Sequence, residues 1–319
     1  MRLLQEPQDA AARRLLHHMV MTSNGILMAP GTLAKALHER SRLATAEGAL
    51  VPIEVSLNTI DDGGVRFQVR QASALKQKEA ARSSGDARDP FLPCDPGLLV
   101  AQVSDTHVAL LNKFAVLEGH LLLVTRHYED QELLLTSDDW CALAACMAEF
   151  DGFAFYNGGK GAGASQAHKH LQLVPIASLA AGTQLPVETL FAPIRGECGA
   201  CSMPGLPFRH AFVWLDADCF ADSLLAAQTL HGHYQVLLER AGIRGIAAAA
   251  GDRQSGPYNL LLTREWMLLV PRLCESYCGI SVNGLGFAGS LFVADAAGME
   301  AVRKTGPMKL LAAVSLTAE

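Results

Sequence analysis

The sequence predicts an α+β fold built on a largely antiparallel sheet with flanking helices. Three features carry this expectation. Apolar runs from Gly97 onward, LLVAQV, HVALLNKF and HLLLVTR, are separated only by SDT and AVLEG, and connections that short favour hairpins over crossover helices. Helix signals stand between strand-like runs near 137–150 and 221–241. Composition is the third: half of the 319 residues are apolar and 18% are charged, a balance that builds a core rather than a disordered or coiled-coil chain.

Taken in order, residues 7–20 and the stretch from Leu33 to Leu43 read as helices. VRFQVR (65–70) alternates as a strand does, and the polar KQKEAARSSGDARDP that follows, closing on Asp-Pro, reads as a mobile loop. Ser137 before Asp138 and Asp139 marks a helix start, because a serine oxygen caps free N–H groups and acidic side chains suit the positive end of the dipole. That helix is expected to run to about Phe150. FAFYN (153–157) is then a strand, the glycine stretch a loop, and HKHLQLVP (168–175) a strand ended by Pro175. Beyond a loop rich in Gly, Pro and Cys come HAFVWL (210–215), a helix over 221–241, and the strands YNLLLT, WMLLVP and SLFVAD. Both halves place strands around a helix, which fits either a weak internal duplication or one extended sheet. The chain is read as one domain over 1–319, with a core at about 97–176 and a second half at about 206–319.

A net charge of −6 argues against a nucleic-acid binder, which would neutralise many phosphates with a basic surface. A small anionic substrate needs only a local cluster of donors. The first residues, MRLLQEPQDAAARRLLHHM, lack the apolar core of a secretory signal, and no apolar stretch reaches membrane-spanning length. Eight thinly spread cysteines are unlike a secreted disulfide scaffold, so a reducing cytoplasm is expected, with neither membrane nor nucleic acid as partner.

The chemistry concentrates in YNGGKGAGASQAHKHLQLVP (156–175). Side chains alternate along a strand, so His168, His170 and Gln172 share one face while Lys169, Leu171 and Leu173 take the other. The loop before them holds Gly158, Gly159, Gly161 and Gly163, which allow successive backbone N–H groups to converge on an anion; Ser165 adds a hydroxyl and Lys160 a charge. It is not a Walker A loop, since Lys160 precedes a glycine and the loop leads into a strand. A phosphate cradle beside an imidazole on a rigid strand suits nucleotidyl transfer through a phosphoramidate, because neutral imidazole is a competent nucleophile near pH 7. His231 and His233 have the same spacing within a predicted helix, where residues two apart diverge by about 200° and form no joint site.

At these residues the chain resembles the diadenosine tetraphosphate phosphorylases, or ATP adenylyltransferases, of the histidine-triad superfamily. GASQ before HKHLQ, LLNKFAVLEGHLLLVTR, PFLPCDPGLLV, YNLLLTREWMLLVPR, VNGLGFAG and GPMKLL carry the resemblance, over roughly residues 50–315. It implies a fold similar to histidine-triad proteins and galactose-1-phosphate uridylyltransferase. Hydrolases of the superfamily carry a third histidine where this chain has Gln172, so the resemblance implies transfer rather than hydrolysis. It further implies His170 as nucleophile, Gln172 as the residue holding the transferred phosphate, and Asn157, Gly163, Ser165 and Gln166 as phosphate or leaving-group contacts. Asn112 and Lys113 are implied on the ribose or base side. Two departures, Ala167 in place of proline and Leu117-Glu118-Gly119-His120 where relatives read V-P-x-H, touch loop geometry and remove no reacting group.

The expected reaction is phosphorolysis of diadenosine tetraphosphate (Ap4A) to ATP and ADP, with AMP carried on His170, Gln172 donating to the phosphoryl group and His168 orienting backbone or touching phosphate. Lys76 and Lys78 are candidates for reaching the polyphosphate. Magnesium is expected only as an ion carried by substrate polyphosphate, with no dedicated protein metal site. Cys198 and Cys201 have the spacing of half a zinc site, but a zinc signal needs a second pair, which the spacing of Cys274 and Cys278 does not supply. Two alternatives stand: a nucleotidyltransferase with another donor, such as a sugar nucleotide or adenylyl sulfate, and a non-catalytic sensor of dinucleotide polyphosphates.

Overall fold

Eight strands form a wholly antiparallel sheet that spans both halves of the chain in the computed structural model, which describes residues 25–72, 89–179 and 184–318. The predicted helix at 7–20, most of the 76–90 loop, and Lys76 and Lys78 with it, lie outside the described residues. The hairpin runs come first: β3 (Leu99–Gln102), β4 (His107–Leu111) and β5 (Leu121–Thr125) pair in sequence. β6 (Gly152–Gly158) and β7 (His170–Pro175) follow, then β8 (Ala211–Trp214), β11 (Tyr258–Leu262) and β12 (Trp266–Pro271). The order is β3-β4-β5-β7-β6-β11-β12-β8. The triplets β5-β7-β6 and β11-β12-β8 mirror each other across the β6–β11 pair, and each encloses a helix in sequence.

Smaller elements dress this sheet. A helix, α1, covers Leu33–Ala46; β1 (Ser56–Asp62) and β2 (Val65–Gln71) make a hairpin that β15 (Ser290–Val293) joins in parallel. The two enclosed helices are α2 (Ser137–Met147) and α3 (Ser223–Ala241). β9 (Gly245–Ala248) pairs with β10 (Gly251–Gln254), and β13 (Ser276–Tyr277) with β14 (Ile280–Ser281). The chain closes on α4 (Ala296–Thr305) and α5 (Pro307–Ala313).

The start of α2 corrects the predicted cap. Thr136, not Ser137, stands at the N-cap: its amide and hydroxyl both donate to Asp139 Oδ2, at 2.6 and 2.9 Å. The helix stops at Met147 instead of near Phe150. The strand through the two histidines also starts later than predicted, at His170, while His168 makes only an isolated bridge to Asp130.

Period-two alternation sorts the sheet residues between two cores. Leu123, Ala154, Tyr156, Leu171, Leu173, Leu260 and Leu269 face α1, α2 and α3. Phe153, Phe155, Val174, Leu261, Leu268 and Val270 face the β1-β2-β15 layer and α5. A small third cluster of Phe91, Val108, Leu110, Leu122 and Val124 occupies the second face at the β3–β5 end. Burying each leucine of β7 stabilises the strand by on the order of 1.5–3 kcal/mol. The interval between the second and third clusters, on the face opposite Leu171 and Leu173, holds the candidate site.

Candidate active site

His170 and Gln172 open into a cleft of about 840 Å³, a size suited to a small-molecule ligand. Asn112, Lys113, Asn157, Gly163, Ser165 and Gln166 line the same cleft. The structure therefore brings together the implied site residues that it describes, apart from His168, which does not border the cavity. Its lining comes from β4 and β5 with Phe91, Asp95 and Phe114, and from β14, β15 and the start of α4 with Asn283 and Asp295. Lys113 is the only cationic side chain among the described lining residues, whereas Asp95, Glu275 and Asp295 are acidic. A bound polyanion would thus meet mainly neutral donors.

The His170 ring is oriented from its own strand. Its Nδ1 lies 2.8 Å from the carbonyl of His168, and a carbonyl only accepts, so Nδ1 carries the proton and Nε2 the lone pair in the neutral ring. Phe91 packs against it with ring centroids 5.4 Å apart. His210 offers a control within the same chain, since its Nδ1 also donates to a carbonyl two residues back, that of Phe208, at 2.7 Å. There Nε2 accepts the Met203 amide at 2.7 Å, and burial lowers the pKa, so the ring is a structural acceptor.

His168 serves as a strut. Its Nδ1 meets Asp89 Oδ2 at 2.7 Å, and its Nε2 meets both the carbonyl and the hydroxyl of Thr125 at 2.9 Å. Thr125 passes its own hydroxyl proton to the His127 carbonyl. Both ring nitrogens are thereby committed to protein oxygens, and the contribution of His168 to the site is its carbonyl.

Gln172 is aimed by a relay absent from the sequence prediction. Asn112 Nδ2 donates to His120 Nδ1 at 3.3 Å, which leaves the His120 proton on Nε2, donated to Gln172 Oε1 at 2.8 Å. With its oxygen held, the Gln172 amide presents N–H donors to the cleft. The signal for His120 was its place at the histidine of V-P-x-H in the resemblance, which carried no role for it.

The glycine loop closes against the second half of the chain. Lys160–Ala162 make one tight turn between Gly159 and Gly163, whose φ angles of +81° and +86° suit glycine. A Cβ at Gly163 would stand 2.8 Å from the Val282 carbonyl, so the loop packs there only without a side chain. Lys160 is exposed and lies outside the cleft lining. Asn157 Oδ1 accepts from Asn259 Nδ2 at 2.8 Å and from the Gly284 amide at 2.9 Å. Arg272 donates to Asn259 Oδ1, to the loop carbonyl of Ala162 and to the Val314 carbonyl; burial lowers its pKa to about 10. None of these partners was recognisable locally, because they come from strands a hundred residues away.

Behind the strand that carries His170 lies a buried ionic cluster. Lys169 Nζ, fully buried, meets Asp139 Oδ2 at 2.6 Å, Glu129 Oε2 at 3.2 Å and the Leu134 carbonyl at 3.2 Å. His107 Nε2 meets Asp139 Oδ1 at 3.1 Å. Burial by itself would raise the Asp139 pKa, but the Lys169 ammonium and the His107 imidazole together outweigh it and hold the carboxyl far below its ordinary range. The cluster ties β7 to α2 directly between the two histidines. Among the described residues no group of three or more His, Cys, Asp or Glu is placed to hold a metal ion. Cys198 is exposed, and Cys201 is half-buried in a bridge to Phe212.

Comparison with known proteins places this arrangement. The family model described as the Ap4A phosphorylase N-terminal domain matches residues 23–193, and that of the ATP adenylyltransferase C-terminal domain matches residues 204–317. The chain is 26% identical over 298 residues to diadenosine 5',5'''-P1,P4-tetraphosphate phosphorylase 2 of Saccharomyces cerevisiae, covering 82% of this chain and 87% of the relative. It is 24% identical over 291 residues to protein APA1 of the same yeast, with the same coverages of 82% and 87%. In fold it is similar to yeast Ap4A phosphorylase Apa2, with TM-score 0.74, 23% identity and coverage of 91% and 96%. It is likewise similar to Apa2 in complex with Ap4A, with TM-score 0.72, 22% identity and coverage of 91% and 99%.

The ionic cluster makes acid sensitivity predictable. The Asp139 pKa is lowered in the folded chain, so its stabilisation is complete above the unfolded value of about 4 and is lost as pH falls below it toward the folded value. Urea midpoints should fall between pH 5 and 3. Asp139→Asn should be less stable at pH 7 by up to about 3–5 kcal/mol, because it breaks the buried pair with Lys169 and leaves Glu129 as that ammonium's carboxylate partner, and should respond less to pH over that window.

Proposed function

This chain belongs to the Ap4A phosphorylase and ATP adenylyltransferase family, a family of nucleotidyltransferases, and from that premise we propose that it phosphorolyses Ap4A to ATP and ADP by way of an adenylyl group on His170. The observation that carries the reading is the Nδ1–H of His170 bonded to the His168 carbonyl, on the wall of a cleft with room for an extended nucleotide. In the first step the Nε2 lone pair bonds to the α-phosphorus while the bond from that phosphorus to the bridging oxygen breaks, and ATP leaves. The ring gains positive charge as it does so, which the His168 carbonyl meets through the existing hydrogen bond. In the second step an oxygen of inorganic phosphate attacks the same phosphorus, the nitrogen–phosphorus bond breaks, ADP forms and Nε2 recovers its lone pair. A polyphosphate is a weakly basic leaving group, so no general acid is required beside the histidines.

Positioning and neutral donors then carry the catalysis. Gln172 holds the α-phosphoryl oxygens through its amide N–H groups, with its carbonyl oxygen fixed by His120. Ser165, Gln166 and the loop at Gly163, all on the cleft wall, meet the leaving polyphosphate, Asn157 supports that loop, and Asn112 and Lys113 serve the nucleoside. Lys76 is retained as a polyphosphate contact. A magnesium ion bound to the phosphates would supply the countercharge that a lining with one described lysine does not. The reaction needs neither nucleic acid nor a membrane; among the described residues no helix is long and apolar enough to cross one. Eight cysteines spread thinly through a chain of this length support a reducing compartment such as the cytoplasm.

Incubation with labelled Ap4A in the absence of phosphate should give an acid-labile, base-stable adduct that His170→Ala lacks, and added phosphate should chase it into ADP. Tight binding with no adduct would support a sensor, and preference for another nucleotide donor would support a related transferase. His120→Ala and Gln172→Ala should each lower kcat by about 10²-fold, in keeping with loss of one preorganised donor. Because the two side chains act as one unit, the double substitution should be little worse than the poorer single one in a kinetic cycle.

A further inference from the structure

Gln131 stands where the sheet parts beside the nucleophile. β6 and β7 are paired from Gly152 and Pro175 to Phe155 and Gln172, and the same register carried on past Tyr156 and Leu171 would set Asn157 against His170. That pair does not form. The Gln131 side chain occupies its place: Oε1 accepts the His170 amide N–H at 2.7 Å, while Nε2 donates to the His170 carbonyl at 3.1 Å and to the Asn157 carbonyl at 2.9 Å. One primary amide thus supplies both the donors and the acceptor that the parted strands would otherwise lack. On its other edge His170 keeps its strand pairing with Val124.

The inserted side chain is itself held firmly. Its backbone N–H donates to the Ala167 carbonyl at 2.7 Å, and its carbonyl accepts the Tyr156 hydroxyl at 2.5 Å. At 1% exposure it is closed to water, so no solvent molecule can take over its three bonds without repacking. A buried amide used only for cohesion has no need to bridge the nucleophile's own peptide groups and those of the residue supporting the phosphate loop.

We propose that Gln131 is a positioning residue for adenylyl transfer, holding β6 and β7 apart so that the His170 ring meets the α-phosphorus at bonding depth. This rests on the reading of His170 as nucleophile. Displacement of a reacting group by about 1 Å can cost about 10²-fold in rate, whereas the nucleotide contacts lie elsewhere in the cleft. Loss of Gln131 therefore acts on the chemical step and leaves nucleotide binding in place.

Two substitutions test this in the full chain. Gln131→Met fills the space without hydrogen bonds, and single-turnover adduct formation from Ap4A should fall about 10²-fold with the AMP dissociation constant within about twofold of wild type. Gln131→Glu adds a pH signature. An ionised carboxylate offers no donor to the two carbonyls, whereas the protonated form restores one, so its adduct rate relative to wild type should recover as pH falls while AMP binding stays level. Adduct formation by Gln131→Met within about threefold of wild type overturns the proposal. So does a parallel fall in AMP binding and rate, which marks a merely structural role. If Gln131→Met does not fold, a pH-independent rate ratio for Gln131→Glu overturns it alone. A wild-type chain that turns over Ap4A with no adduct instead refutes the His170 reading, and this inference with it.

Discussion

The hydrogen bond from His170 Nδ1 to the His168 carbonyl determines which ring nitrogen faces a nucleotide, and the surrounding structure serves to hold its two ends. The donor end is fixed by strand pairing to Val124 and by Gln131; the acceptor end is fixed because the His168 ring is tied to Asp89 and Thr125. His210 shows that the bond alone does not make a nucleophile. Its ring has the same local geometry, yet its second nitrogen receives a backbone N–H, while His170 borders the cleft. Reactivity here is a property of the ring's surroundings as much as of its tautomer.

The second half of the chain contributes more than a continuation of the sheet. Asn259 and Arg272 connect the glycine loop, β11 and the C-terminal segment through one buried network, and Gly163 fits against Val282 only because it lacks a side chain. The guanidinium in this network donates to carbonyl and amide oxygens, and burial lowers its pKa to about 10, a fall that the nearby Cys274 and Glu275 only partly offset. Lys169 is the opposite case, a buried ammonium met by two carboxylates on the far side of the same strand. Together they hold β7 and its loop from both faces, so the position of the imidazole is fixed by the strand that carries it.

Much of this was legible wherever the signal was local. Period-two alternation correctly separated His170 and Gln172 from Lys169, Leu171 and Leu173, and short connections correctly indicated the β3-β4-β5 meander. The glycine run marked a loop whose conformation does need Gly159 and Gly163. What could not be read was the partner at the other end of a long-range bond. Gln131 sits in an unremarkable polar stretch, and only the missing pair between β6 and β7 reveals it. Buried Lys169 looks like any lysine between two histidines until Asp139 is seen behind it. Even the cap of α2 was misplaced by one residue, because Thr136 and Ser137 are equally good cap residues and the choice depends on where Asp139 is drawn.

The central claim is that the adenylyl group passes through His170 in two displacements, and stereochemistry at phosphorus tests it most directly. Each in-line displacement inverts the α-phosphorus, so phosphorolysis of an Ap4A analogue made chiral there with sulfur should give ADPαS with net retention. Net inversion would show phosphate attacking the nucleotide in one step, and would contradict a covalent role for His170 whatever the geometry of its ring.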